Sequence, residues 1–211
     1  MFKFLITYDN KDKSLGGYLN ECFNDLSDHL KYLKYQQAAV SLSSGDCTRE
    51  MIKTHTEGYG TNKFMFTAYT HGTQNSLTVS KKPFVDFDNA INFRNSFFYT
   101  CACLTAVELG PELQRQGCLA YIGYKDKVEV LLKYSDIFRK CKNSGIKYFL
   151  ETGKKLEEAV MYMKKVYDEE VQKLAEGTDG AFIAAACLHK NRRSLEFLGD
   201  GELILDDFIV K

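Results

Sequence analysis

Short apolar runs alternate along this chain with longer segments whose apolar residues recur every three or four positions. Residues 2–8 form the first run, and residues 15–33 carry the first helical stripe. Short runs bounded by turn residues predict buried strands, and strands that alternate with helices predict a mainly parallel sheet. We therefore expect an α/β protein, specifically a three-layer α/β/α sandwich with helices on both faces of the sheet.

The composition narrows the class of protein further. The chain has 211 residues, of which 45% are hydrophobic, enough for one compact domain with a sizeable core. Its 28 basic and 28 acidic residues leave no net charge, so we expect no nucleic-acid partner. Cysteines without a CxxC pair and a start unlike a signal peptide favour a reducing, cytoplasmic location. No apolar run approaches the roughly 20 residues of a membrane helix, so we expect no membrane partner.

Two reactive side chains come directly after predicted strands. His71 follows a strand over residues 63–70, and Cys103 follows a strand over residues 96–101. If these strands are neighbours in a parallel sheet, their carboxyl ends lie roughly 5 Å apart, at the edge where reactive groups collect. The long connection between them, with a possible small hairpin at residues 77–79, is a candidate substrate-facing flap.

An imidazole beside a thiol is an arrangement for nucleophilic catalysis. The histidine stabilises the thiolate, which attacks, and later protonates the leaving amine. Gly72 has no side chain, so its N–H can approach a substrate carbonyl, and with the N–H of Cys103 it would form an oxyanion hole. Cys101 is a rival nucleophile two positions away, but the alanine that precedes Cys103 favours the latter.

The segments TAYTHGT and FFYTCACLTA resemble those of caspase-like cysteine peptidases, a superfamily that includes caspases, metacaspases, separase, gingipain-like enzymes and bacterial CHAT domains. The CHAT pattern agrees best. Residues 101–106 match its nucleophile segment, with Cys101 in place of serine and Ala106 in place of glycine. The resemblance covers about residues 1–175.

This resemblance implies a caspase-like peptidase domain over residues 1–175. Residues 176–211, predicted as a helix and a hairpin, would be an appendage or extra edge strands of the same domain. The resemblance further implies a hydrolase of the thiol protease type. This would be a cysteine endopeptidase with His71 as general base, Cys103 as nucleophile and no cofactor. A protein or peptide would be the substrate, and a regulatory protein partner is compatible with the family.

Substrate preference is a separate prediction. Glu21, after Asn20, matches the position of a metacaspase acid that lines the primary specificity pocket, and Asp126 follows the next strand, where related enzymes line the same pocket. Carboxylates there would favour cleavage after lysine or arginine. The alternatives are a solvated helical glutamate and an ordinary turn aspartate.

Two other readings of the whole chain are open. The departures at Cys101 and Ala106 fit a catalytically inactive caspase-like interaction or regulatory module. Strand–helix alternation alone also fits a flavodoxin-like or receiver-type domain, although the loop after the first strand lacks the small hydroxyl residues of a flavin phosphate site. We expect no metal site, because the cysteines lack paired spacing. We expect surface or packing roles for the remaining histidines, His29, His55 and His189.

Overall fold

The computed structural model describes residues 2–177 and 181–209. Strands and helices alternate through most of these residues, with the following bounds: β1 (Phe4–Tyr8), α1 (Gly16–Tyr32), β2 (Ala39–Ser43), α2 (Arg49–Tyr59), β3 (Phe64–Tyr69), β4 (His71–Gly72), β5 (Ser76–Val79), β6 (Lys82–Asp86), β7 (Ser96–Thr100), α3 (Leu109–Arg115), β8 (Ala120–Tyr124), α4 (Ser135–Thr152), α5 (Leu156–Ala175), α6 (Ala181–Ser194) and β9 (Leu195–Gly199).

A six-stranded sheet in the order β2-β1-β3-β7-β8-β9 forms the centre of the fold. The pairs from β2 to β8 are parallel, as expected when each connection crosses over through a helix or a long segment, and β9 is antiparallel to β8. The predicted α/β/α sandwich with a mainly parallel sheet is therefore confirmed.

Both faces of the four central strands, β1, β3, β7 and β8, are buried, which explains why these strands are largely apolar runs. Along β7 and the residues that follow, Phe97, Tyr99 and Cys101 belong to the core shared with α1, α4, α5 and α6. Phe98 and Ala102 belong to the core on the opposite face, which α2 and α3 cover. This period of two determines which way each side chain near the candidate site points.

The connection between β3 and β7 folds into a second, three-stranded sheet in the order β4-β5-β6. His71 lies in β4 and pairs with Thr78 of β5, and β5 and β6 form an antiparallel hairpin. A 3₁₀ helix, Phe87–Phe93, then leads back to β7. The hairpin predicted in this connection is confirmed. Because β4 pairs with β5, the backbone of His71 is held in this small sheet and not in the central one.

The apolar pattern of the sequence predicts a helix over about residues 128–142, and this prediction is wrong at both ends. A single 3₁₀ turn, Leu132–Tyr134, precedes α4, which begins at Ser135 and ends at Thr152. Residues 128 and 129 make their backbone hydrogen bonds to side chains instead, Val128 N–H to the Cys103 sulfur and Glu129 to Asn191. Tertiary partners therefore replace the helical hydrogen bonds of this segment.

The hairpin predicted around residues 199–201 is also wrong. β9 forms its first arm, but the second arm is an irregular segment with a 3₁₀ helix, Leu205–Phe208. The carbonyls of Gly201 and Leu203 accept hydrogen bonds from the first N–H groups of α5, donors that a helix cannot satisfy by itself. Residue 210, at the end of the predicted arm, lies outside the described residues.

No helix within residues 2–177 and 181–209 is long and apolar enough to cross a lipid bilayer.

Candidate active site

The strands that precede the two predicted catalytic residues are neighbours in the central sheet. β3 and β7 run parallel, with Ala68 opposite Thr100, and the N–H of Cys101 donates to the Ala68 carbonyl at 3.1 Å. Their carboxyl ends therefore lie side by side. His71 and Cys103, which follow these ends, are at the same edge of the sheet.

Gly72 packs directly against the turn that carries Cys103. A Cβ atom at Gly72 would lie 2.7 Å from the Cys103 carbonyl oxygen and 2.8 Å from the Ala102 Cβ. No real side chain is accommodated at such distances. The glycine after the histidine is therefore required by this close approach, a reason that sequence reasoning did not supply.

The turn after Cys103 is strained, and hydrogen bonds to residues distant in the sequence stabilise it. Leu104 has a φ of 63°, in the left-handed region that costs a residue with a side chain about 1 kcal/mol or more. Its N–H donates to the Asp126 carbonyl at 3.1 Å, and the N–H of Ala106 donates to the Tyr124 carbonyl at 3.0 Å. The last residue of β8 and the segment after it thus fix the conformation of the Cys103 turn.

Cys103 is the one cysteine of the seven that is not buried, and all seven are free thiols. Its sulfur accepts a hydrogen bond from the Val128 N–H at 3.2 Å, and the Val128 carbonyl lies 3.9 Å away. The geometry around Cys103 therefore suits a nucleophile that solvent can reach.

Cys101, the rival nucleophile, lies in a different environment. It is buried in the core beneath α1 and α4, and its thiol is 3.7 Å from the Tyr99 hydroxyl. Burial raises the pKa of the Cys101 thiol, and the nearby Lys142 opposes this only in part. A buried, protonated thiol is a poor nucleophile.

His71 has a carboxylate partner that sequence reasoning missed. Its Nε2 lies 3.1 Å from Oδ2 of Asp12, at ion-pair distance but without the geometry of a hydrogen bond. Asp12 lies in the loop between β1 and α1, and β1 is the sheet neighbour of β3. The residue type and its position after a strand were visible in the sequence, but the adjacency of the two strands was not.

Asp12 is held rigidly and in its ionised form. Its Oδ1 accepts hydrogen bonds from the N–H groups of Leu15, at 2.7 Å, and Ser14, at 2.9 Å, and from the Ser14 hydroxyl at 2.8 Å. The Leu15 N–H is the main cause that lowers the Asp12 pKa to about 2, with Ser14 and His71 adding to it and burial opposing it. A fixed negative charge thus faces the imidazole.

The structure places the two predicted specificity acids in different surroundings. Glu21 is exposed on α1, and its carboxylate lies 3.1 Å from the guanidinium of Arg139. Asp126 is exposed beside the Cys103 turn, to which its carbonyl is bonded, and its carboxylate accepts from the Lys127 N–H. It borders a surface cleft that is also lined by Lys125, His189, Lys190 and Arg193. Each acid therefore already has cations nearby.

Among the described residues, histidine, cysteine and carboxylate side chains nowhere gather in a group of three that could hold a metal ion. The chemistry available at this edge of the sheet is that of a thiol, an imidazole and a carboxylate.

Comparison with known proteins finds similarity in three-dimensional structure and not in sequence. No protein-family model matches the sequence, and the comparison with curated proteins found no significant match. The Arg-specific cysteine proteinase gingipain R superposes with a TM-score of 0.66 and 12% identity, over 96% of this chain and 47% of that one. Caspase-1 from Spodoptera frugiperda superposes with a TM-score of 0.59 and 13% identity, over 96% of this chain and 87% of that one.

The chain therefore has the fold of caspase-like cysteine peptidases. It spans about half the length of gingipain R and most of the length of the insect caspase. The expected resemblance to the superfamily is confirmed at the level of the fold, and the particular likeness to CHAT domains stays a prediction.

Proposed function

We propose that this chain is a cysteine endopeptidase with Cys103 as nucleophile and His71 as general base. The observation that carries the proposal is the packing of Gly72 on the Ala102–Cys103 turn, which puts the partly exposed thiol and the imidazole at one edge of the sheet. The fold, shared with solved cysteine proteases, supports the same reaction type.

The position of Asp12 supports different roles for the two nitrogens of the His71 ring. Because Nε2 faces its carboxylate, Nδ1 is left to take the proton of the Cys103 thiol. The thiolate attacks the peptide carbonyl carbon, and the carbonyl π electrons move to oxygen. When the intermediate collapses, the C–N bond breaks and His71 gives its proton to the leaving nitrogen. Water, deprotonated by His71, then hydrolyses the thioester.

The negative oxygen of the tetrahedral intermediate needs donors. We assign them as the N–H groups of Cys103 and Gly72. The Cys103 N–H donates no hydrogen bond within residues 2–177 and 181–209, so it is free for a substrate, and Gly72 is packed against the same turn. The seven free thiols suit a reducing, cytoplasmic setting.

For the substrate we propose a protein or peptide with a basic residue before the scissile bond. Of the two candidate acids, Asp126 is better placed, because its backbone is bonded to the Cys103 turn. Glu21 is already paired with Arg139. If Asp126 recognises the substrate, Asp126→Asn should raise KM for peptides with lysine or arginine at this position about tenfold and leave neutral peptides unaffected. Glu21→Gln should change neither.

A thiol-reactive peptide probe tests the proposed reaction type. Labelling should map to Cys103, vanish in Cys103→Ala, weaken in His71→Ala and persist in Cys101→Ala. Labelling that ignores His71, or that moves to Cys101, would overturn the assignment. Intact fold with no labelling of Cys103 would favour the inactive regulatory module instead.

A further inference from the structure

Helix α6 lies beside the segment that joins β8 to α4 and is bonded to it at several points. The Lys125 N–H donates to the Ser194 carbonyl at 2.8 Å. The ammonium group of Lys190 lies 2.6 Å from the Glu129 carboxylate, which is partly exposed. The segment therefore depends on a helix that comes more than 60 residues later in the chain.

The innermost of these contacts is a pair of hydrogen bonds from one buried side chain. Asn191 is fully buried, and its Oδ1 accepts from the Glu129 N–H at 2.9 Å while its Nδ2 donates to the Glu129 carbonyl at 2.7 Å. Both hydrogen-bonding groups of one residue's backbone are thus satisfied by one amide. We call this arrangement the Asn191 clamp.

The clamp adjoins the residue that contacts the candidate nucleophile. Val128 immediately precedes Glu129, and its N–H donates to the Cys103 sulfur at 3.2 Å. The bond to the Glu129 N–H fixes the planar Val128–Glu129 peptide unit, which is joined through the Val128 Cα to the unit that carries the Val128 N–H. A primary amide is the neutral side chain that offers a donor and an acceptor together, so it can hold a buried backbone without introducing a charge.

We propose that Asn191 is a positioning residue that acts through Val128 to keep an N–H donor on the Cys103 sulfur. The inference rests on the proposed function in assigning the thiol its role as nucleophile. It also assigns α6 a role at the site, since the Ser194 hydroxyl donates to the Asn191 carbonyl at 2.9 Å and stabilises the helix end there.

The test measures the rate at which iodoacetamide alkylates Cys103 in the full-length protein, with peptide mapping to assign the site. Loss of the clamp in Asn191→Ala should slow alkylation of Cys103 about tenfold, equivalent to about 1.4 kcal/mol, because the thiolate loses its donor. An unchanged or faster alkylation rate would overturn the proposal. If the segment around Val128 only shielded the thiol from the reagent, its release would expose Cys103 and speed alkylation.

Asn89→Ala provides a matched control. Asn89 is also buried, accepts from the Asp86 N–H at 2.8 Å and donates to the Phe84 carbonyl at 2.8 Å, but at the far side of the small sheet. It should lower stability to a similar extent and leave the alkylation rate of Cys103 unchanged. If both variants slow alkylation equally, general destabilisation explains the effect and the proposal fails.

Hydrogen exchange on the unmodified protein tests the clamp even if Asn191→Ala does not fold. The Glu129 amide should be strongly protected, and exchange at the rate of an unstructured peptide would overturn the proposal. Neither measurement requires peptidase activity. A protein that cleaves no peptide but shows the alkylation and exchange effects would refute the proposed function and leave the clamp intact.

Discussion

At the level of single residues, the candidate site depends on the contacts that surround the Cys103 thiol and the His71 imidazole. Cys103 is distinguished from Cys101 by its exposure and by the Val128 N–H. His71 is distinguished from the other histidines by the fixed charge of Asp12. The close approach of Gly72 to the Cys103 turn joins the two halves.

That close approach makes a substitution at Gly72 costly. Gly72→Ala should destabilise the protein by about 1–3 kcal/mol, because the new methyl group displaces the Ala102–Cys103 backbone, and it should also slow probe labelling of Cys103. Gly17→Ala is the control, since a Cβ there meets nothing within 4 Å. Urea unfolding and labelling rates give the two readouts, and equal behaviour of the two variants would contradict the assigned contact.

The charge of Asp12 predicts a pH-dependent stability. Its folded-state pKa of about 2 is below the ordinary value of 3.8, so its stabilising effect is present above pH 4 and is lost as the pH falls towards 2. Asp12→Asn should therefore be less stable than the unmodified protein by about 1 kcal/mol at pH 6, with a difference that shrinks below pH 4. Urea titrations across this range measure it.

Asp28→Asn serves as the control for the Asp12 experiment. Asp28 is an exposed aspartate paired with Lys31, so its replacement should change stability by no more than about 0.5 kcal/mol at any pH. A loss as large as that of Asp12→Asn would mean that removal of any acidic residue has this effect.

At the level of helices and strands, α4 and α5 are joined by a buried carboxylate. Glu170 of α5 is buried and lies 2.7 Å from Lys140 of α4 and 2.9 Å from Lys173. Burial raises the Glu170 pKa, but the two lysines outweigh this and lower it overall. The ionised form is therefore the one that the packed helices favour.

Removing that carboxylate should loosen the helix pair. Glu170→Ala is expected to cost about 1 kcal/mol near neutral pH, and because the folded-state pKa is lowered, the difference should disappear as the pH falls through the acid range. Glu169→Ala, which removes an exposed neighbour 3.7 Å from Lys165, should cost less than about 0.5 kcal/mol. Urea unfolding at two pH values compares them, and equal losses would contradict the structural role.

At the level of the whole molecule, the carboxyl-terminal residues belong to the central sheet and to its larger core. β9 pairs with β8 along five residues, and Ala184 and Leu188 of α6 are fully buried. Without residues 178–211 the chain would expose the edge of β8 and an apolar surface. We expect this truncated chain to lose its cooperative thermal transition, as followed by circular dichroism. A retained transition would show that these residues are dispensable for folding.

Much of the fold could be predicted because its signals are local. The apolar runs gave β1, β3 and β7 within a few residues, and the first helical stripe gave α1. The failures, at residues 128–134 and 202–208, lie where the chain is held by partners distant in sequence. Local sequence patterns cannot predict such partners, because these backbone groups form hydrogen bonds with side chains or helix ends far away in the chain.

The candidate site divides in the same way. The residue types that can act as nucleophile and base, and their positions after two strands, follow from local sequence, since strand period and turn residues act over a few positions. Three features depended on the tertiary structure: the order β1-β3-β7, which sets Asp12 beside His71, the burial of Cys101, and the contact of α6 with the segment after β8. Each is a contact between residues far apart in the chain, decided only when the sheet and its two cores assemble.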